Sequence, residues 1–92
     1  MEALEFNKKE NEYVAEFKAT NDFNLHIERS IGGRLSVRQK TVEDGEYSEA
    51  FSTERVAEAK IFDCDFTGVV YPKWIQVSSV SPVEYGVVTF NL

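Results

Sequence analysis

Two short runs of alternating apolar and polar residues constrain the fold of this chain more than any other feature. The first run places Phe23, Leu25 and Ile27 at every second position, and the second places Leu35 and Val37 in the same way. A period of two is typical of a β-strand that buries one face and exposes the other. Both runs are therefore predicted to be strands.

The glycine pair between these runs, Gly32-Gly33, predicts a turn that joins them as a hairpin. A two-residue turn would place Ile27 opposite Arg38, which mixes an apolar with a charged residue on one face. A shifted register that places Ile27 opposite Val37 or Leu35 removes the conflict. We therefore expect an odd-length loop with a glycine at positive φ, as in a G1 bulge. The two strands need not satisfy this register if they lie in different sheets.

Alternation recurs along the chain, interrupted by turn signals at spacings of about ten residues. Counting the two runs above, the strands number eight if 47–51 forms a strand and seven if it does not. Seven to eight short strands predict an all-β fold: an antiparallel β-sandwich, jelly-roll or immunoglobulin-like, with a small barrel as the alternative. The segment 53–60 could form either a helix of one or two turns or a loop, and the sequence does not favour one over the other.

The apolar positions of these strands predict one shared core. The chain has 92 residues and 42% hydrophobic residues, which suits a single domain spanning 1–92. The lone cysteine is expected to behave as a small apolar residue there, between two phenylalanines. The predicted core residues are Phe17, Phe23, Leu25, Ile27, Leu35, Val37, Phe62, Cys64, Phe66, Ile75, Val77, Val88 and Phe90.

Charge is distributed unevenly along the chain. The net charge is −6, and the eight acids and two bases between Glu43 and Asp65 account for all of it. Nucleic-acid binding usually needs a basic face, so it is not expected. A small basic stripe is predicted to be the solvated edge or face of the hairpin. Its members are Arg29, Arg34, Arg38 and Lys40.

Three stretches give the chain a resemblance to a known class. They are Gly-Gly-Arg-Leu-Ser-Val-Arg-Gln at 32–39, Glu-Asp-Gly-Glu-Tyr at 43–47, and Tyr-Pro-Lys-Trp-Ile-Gln-Val-Ser-Ser at 71–79. Together with the first alternating run they resemble small β-sandwich modules of phage virion and tail structural proteins, over about residues 13–92. The resemblance implies a structural component that works in a symmetric assembly, and it carries over no catalytic residue.

Trp74 is the leading candidate for a functional residue. If Ile75 and Val77 face the core, Trp74 and Gln76 face outward. An outward tryptophan is either covered by a loop, used at a protein interface, or available for stacking against a sugar. The candidate interaction surface consists of Trp74, Tyr71, Gln76 and Tyr85, which Tyr47 could also join.

The sequence does not display the converging groups that catalysis needs. His26 is the sole histidine and is expected to be solvated on the polar face beside Arg38. Asp63 and Asp65 lie on one strand face, where an acidic solvated surface is the expected reading and a weak cation site the alternative. The chain is therefore predicted not to be an enzyme and to need no cofactor or metal.

The preferred function is a non-enzymatic structural, assembly or protein-interaction module, with a protein partner or self-association expected. The alternative is a small carbohydrate-binding module that uses Trp74. The acidic start of the chain does not resemble a signal peptide. No apolar run approaches the roughly 20 residues of a membrane span. We therefore expect a soluble protein, in the cytoplasm or part of a virion, without membrane partners.

Overall fold

The computed structural model describes residues 1–52, 59–67 and 72–91, with the backbone alone for 49–52. These residues contain nine strands and no helix. The segment 53–60, for which a short helix and a loop were both expected as alternatives, lies mostly outside them. The strands are β1 Glu2–Ala3, β2 Asn7–Lys9, β3 Glu12–Ala19, β4 Phe23–Glu28, β5 Leu35–Lys40, β6 Ser48–Ser52, β7 Ile61–Phe66, β8 Lys73–Ser79 and β9 Tyr85–Phe90.

The strands form two antiparallel sheets, which confirms the predicted all-β sandwich. One sheet has four strands in the order β1-β9-β4-β7, and the other has five in the order β2-β3-β8-β5-β6. The count exceeds the predicted seven to eight because the N-terminal segment contributes two short strands. β1 pairs with β9 and β2 pairs with β3, so this segment crosses from one sheet to the other. None of the described residues forms a helix that could cross a membrane.

The predicted hairpin between β4 and β5 is wrong, because the two strands lie in different sheets. β4 pairs with β7 and β9, whereas β5 pairs with β6 and β8. Residues 29–34 instead pass from one sheet to the other. The expected glycine at positive φ is Gly33, with φ of 128°, and a Cβ there would lie 2.7 Å from Cγ2 of Val80. Alternation fixed which face of each strand is buried, but it did not fix the strand's neighbour.

The core lies between the sheets and contains every predicted core residue. Ten of the thirteen are buried, and Phe17, Cys64 and Phe90 are partly buried against them. The ring of Phe23 is stacked on that of Phe66 with centroids 4.9 Å apart, and it meets Phe17 edge-to-face at 5.3 Å. Such aromatic pairs contribute beyond their buried area. The sequence did not single out Ala19, Leu4, Phe6 and Val83, which also pack here.

Arg29 contradicts the prediction of a solvated basic stripe, since only 4% of it is exposed. The passage between the sheets carries it into the end of the sandwich. Nη1 donates to the hydroxyls of Ser79 and Ser81 at 3.1 and 3.2 Å, and Nη2 donates to the carbonyl of Ala59. Burial lowers the pKa of Arg29. Of the other stripe members, Arg34 is exposed and Arg38 and Lys40 are partly buried on β5.

Candidate interaction surface

Trp74 lies on the outward face of the five-stranded sheet. Its neighbour Ile75 is fully buried, and alternation along β8 turns Trp74 to the other side. The strand register places Trp74 directly opposite Lys18 of β3 and opposite Lys40 of β5. Directly opposed residues share a face, so a tryptophan lies between two lysines across three adjacent strands.

Both lysines are positioned by aromatic rings. Nζ of Lys18 lies 5.3 Å from the centre of the Trp74 ring, and Nζ of Lys40 lies 4.5 Å from the centre of the Tyr47 ring. A cation over an aromatic face is attracted by the ring's quadrupole. In the described part of the chain neither ammonium group forms an ion pair with a carboxylate. As far as residues 1–48, 59–67 and 72–91 are concerned, both charges are open to a partner.

The segment before β6 brings Tyr47 over the same surface. Its hydroxyl donates a hydrogen bond to Oε2 of Glu16 at 2.6 Å, which anchors the ring across the strands. Burial, together with this bond to a carboxylate, raises the pKa of Tyr47. On the same face, Nη1 of Arg38 donates to Oε1 of Gln76 at 3.2 Å. We call this outward surface the basic face; its members are Glu16, Lys18, Arg38, Lys40, Tyr47, Trp74 and Gln76.

The predicted surface is only partly brought together. Trp74 and Gln76 share the basic face, whereas Tyr85 lies on the outward face of the other sheet. There Tyr85 is opposite Glu28, and its ring centroid is 6.0 Å from that of His26. Tyr71 lies outside the described residues. Trp74 and Tyr85 therefore lie on opposite faces of the sandwich.

The outward face of the four-stranded sheet carries a polar cluster centred on His26. His26 lies opposite Asp63 of β7 in the strand register, so its predicted position beside Arg38 is wrong. Nδ1 of His26 lies 2.8 Å from Oδ2 of Asp63, and Nε2 lies 2.7 Å from Oε2 of Glu28. The amide of Asn24 donates to Asp63 at 2.7 Å and to Asp65 at 2.9 Å.

Two pKa values follow from this geometry. The hydrogen bonds to Glu28 and then to Asp63 raise the pKa of His26, since both carboxylates favour the protonated ring. Hydrogen bonds from Asn24 and His26 lower the pKa of Asp63, because they stabilise its ionised form. We call this second surface the acidic face, consisting of Asn24, His26, Glu28, Asp63 and Asp65.

Sequence reasoning did not find Lys18 or Lys40 as neighbours of Trp74. The available signal was alternation, which already placed Lys18 on the polar side of β3. Alternation could not show that β8 lies between β3 and β5, because these strands are far apart in the chain. In the same way, pairing of β4 with β7 was needed to bring His26 to Asp63.

The described residues contain no group of three or more histidine, cysteine or acidic side chains arranged to hold a metal ion. A groove of about 360 Å³ lies beside β3 and is lined by the N-terminal segment and by residues 14–17 of β3. Comparison of the chain with protein-family models, with curated proteins and with solved structures found no match.

Proposed function

We propose that the protein is a non-enzymatic interaction module that docks on an acidic protein surface through its basic face. The observation that carries the proposal is the direct opposition of Lys18, Trp74 and Lys40 on one outward face. Tryptophan is enriched among the residues that dominate protein interfaces. Cations around it select an acidic partner and accelerate its association. The chain's resemblance to phage virion modules would make this partner a component of a symmetric assembly.

The contacts that Trp74 and Gln76 already make on the basic face favour a protein partner over a sugar. Sugar stacking needs an open aromatic face, and the ammonium group of Lys18 lies over the ring of Trp74. A polar ligand would also use the amide of Gln76, whose oxygen already accepts a bond from Arg38. An acidic side chain of a partner protein could instead bind to the cationic groups without displacing either contact.

Fluorescence of Trp74 tests the proposal, because it is the sole tryptophan of the chain. A short glutamate-rich peptide is titrated into the protein, with its glutamine-rich counterpart as the control ligand. We expect the glutamate-rich peptide alone to shift the emission, and to do so more weakly in about 1 M salt, where charges are screened within about 3 Å.

Two variants make the test specific to the surface. K18E/K40E reverses the charges beside Trp74, and K8E/K60E makes the same change in net charge at two exposed lysines outside the basic face. The shift should be lost in the first variant and kept in the second. Equal shifts in both, or no shift in the wild type, would overturn the proposal. A shift with members of a glycan panel in place of the peptide would support the carbohydrate-binding alternative.

A further inference from the structure

We propose that the acidic partner is a second copy of this chain, which docks its acidic face on the basic face of the first. The inference rests on the proposed function, whose partner it names. It follows from the placement of two complementary surfaces on opposite sides of one sandwich. One surface carries Lys18, Arg38 and Lys40, and the other carries Glu28, Asp63 and Asp65.

The charges of the two faces are complementary and incompletely neutralised within one copy. Neither Lys18 nor Lys40 forms an ion pair in the described part of the chain. On the acidic face a single histidine lies between Glu28 and Asp63, and Asp65 is bonded to the uncharged amide of Asn24. Juxtaposition of the two faces would pair the excess charges of both and steer the copies into register.

The side chains of the acidic face are already ordered by hydrogen bonds in the unbound chain. Asn24 bridges Asp63 and Asp65, and His26 bridges Asp63 and Glu28, so the three carboxylates are cross-linked by hydrogen bonds. Ordering flexible side chains costs free energy on binding, and a surface that is already ordered avoids much of that cost. The rings of Trp74 and Tyr47 position the two lysines in a similar way.

The arrangement determines the kind of assembly. The two faces differ and lie on opposite sides, so a contact between them is heterologous and leaves one of each face open at the ends. Copies would therefore add end to end, and growth stops only if the chain of copies closes into a ring. A symmetric dimer, in which both copies use the same face, is not expected because like charges would meet.

Sedimentation velocity of the full chain tests this inference with two variants that each disable one face. K18E/K40E retains the acidic face, and D63N/D65N retains the basic face. Each variant alone should remain monomeric where the wild type forms oligomers that grow with concentration. An equal mixture of the two should form a species of two chains and nothing larger, because only one native contact is possible. We expect each variant to weaken association by about tenfold or more.

Matched controls separate the surfaces from net charge and from unfolding. K8E/K60E and E5Q/E10Q make the same charge changes at exposed positions outside both faces and should associate like the wild type. Circular dichroism verifies the fold, and K18Q/K40Q replaces K18E/K40E if that variant does not fold. A wild type that stays monomeric, or a mixture that forms no two-chain species, would overturn the inference. If the glutamate-rich peptide still shifts Trp74 emission in that case, the proposed function stands with a different partner; if it does not, both fail.

Discussion

Nδ1 of His26 lies 2.8 Å from Oδ2 of Asp63, while the other ring nitrogen lies 2.7 Å from Oε2 of Glu28. A neutral imidazole donates from one nitrogen only, so its second nitrogen would turn a lone pair toward a carboxylate. The protonated ring donates to both. This geometry, with a histidine between two carboxylates of the acidic face, therefore favours the imidazolium form.

The first prediction concerns the pH dependence of His26. Its pKa is raised in the folded state, so its contribution to stability is complete below the unfolded value of about 6.5 and is lost as pH rises through the folded pKa. An NMR titration of this sole histidine should give a pKa above 6.5. E28Q and D63N should each lower it toward the ordinary value. A folded pKa at or below that of a model peptide would contradict the geometry.

The second prediction concerns acid unfolding. Asp63 has a lowered pKa, so its contribution is present above the unfolded value of about 3.9 and is lost as pH falls through the folded pKa. The hydrogen bond from Asn24 contributes most to the lowered pKa of Asp63. N24A should therefore reduce the loss of stability at acidic pH. Urea unfolding of N24A and the wild type across this pH range measures the difference. Parallel stability profiles would show that the amide does not act on Asp63.

The third prediction concerns the buried Arg29. In R29A the carbonyl of Ala59 and the hydroxyls of Ser79 and Ser81 lose their donor, and the end of the sandwich loses a packed side chain. We expect the free energy of unfolding to fall by about 2–4 kcal/mol. Chemical denaturation measures it, with the exposed Lys9→Ala as a control that should change it by less than about 0.5 kcal/mol. A similar small change in R29A would contradict the role given to these bonds.

The fourth prediction concerns the packing of the N-terminal segment on β9. A Cβ at Gly86 would lie 2.8 Å from Cε1 of Phe6 and 3.3 Å from Cδ1 of Ile27. G86A should therefore reduce the free energy of unfolding by about 1–3 kcal/mol through overpacking. The double variant F6L/G86A should lose less relative to F6L alone, because the shorter side chain makes room. Equal losses in both backgrounds would show that Phe6 is not the obstacle.

Strand content and core were predictable because alternation reports burial directly. The buried positions Phe23, Leu25 and Ile27 follow from it without knowledge of the partner strand. Pairing was not predictable, since a period of two specifies a face and not a neighbour. Gly32-Gly33 made a hairpin attractive, yet the space beside Gly33 is taken by Val80, from the segment that follows β8.

The candidate surface was predictable only in part, for the same reason. The outward orientation of Trp74 follows from its own strand. Its lysine neighbours depend on which strands flank β8, and the separation of Tyr85 from Trp74 depends on which sheet holds β9. Arg29 was misplaced because a charged residue after a strand usually reaches solvent. Here the chain turns inward and supplies hydroxyl and carbonyl acceptors.

Docking of an acidic partner on the basic face is best tested by the emission of Trp74 during titration with a glutamate-rich peptide. We expect a saturable shift that the glutamine-rich peptide does not produce, that K18E/K40E loses, and that K8E/K60E retains. An unchanged emission in the wild type, or a shift that survives K18E/K40E, would contradict docking of an acidic partner on the basic face.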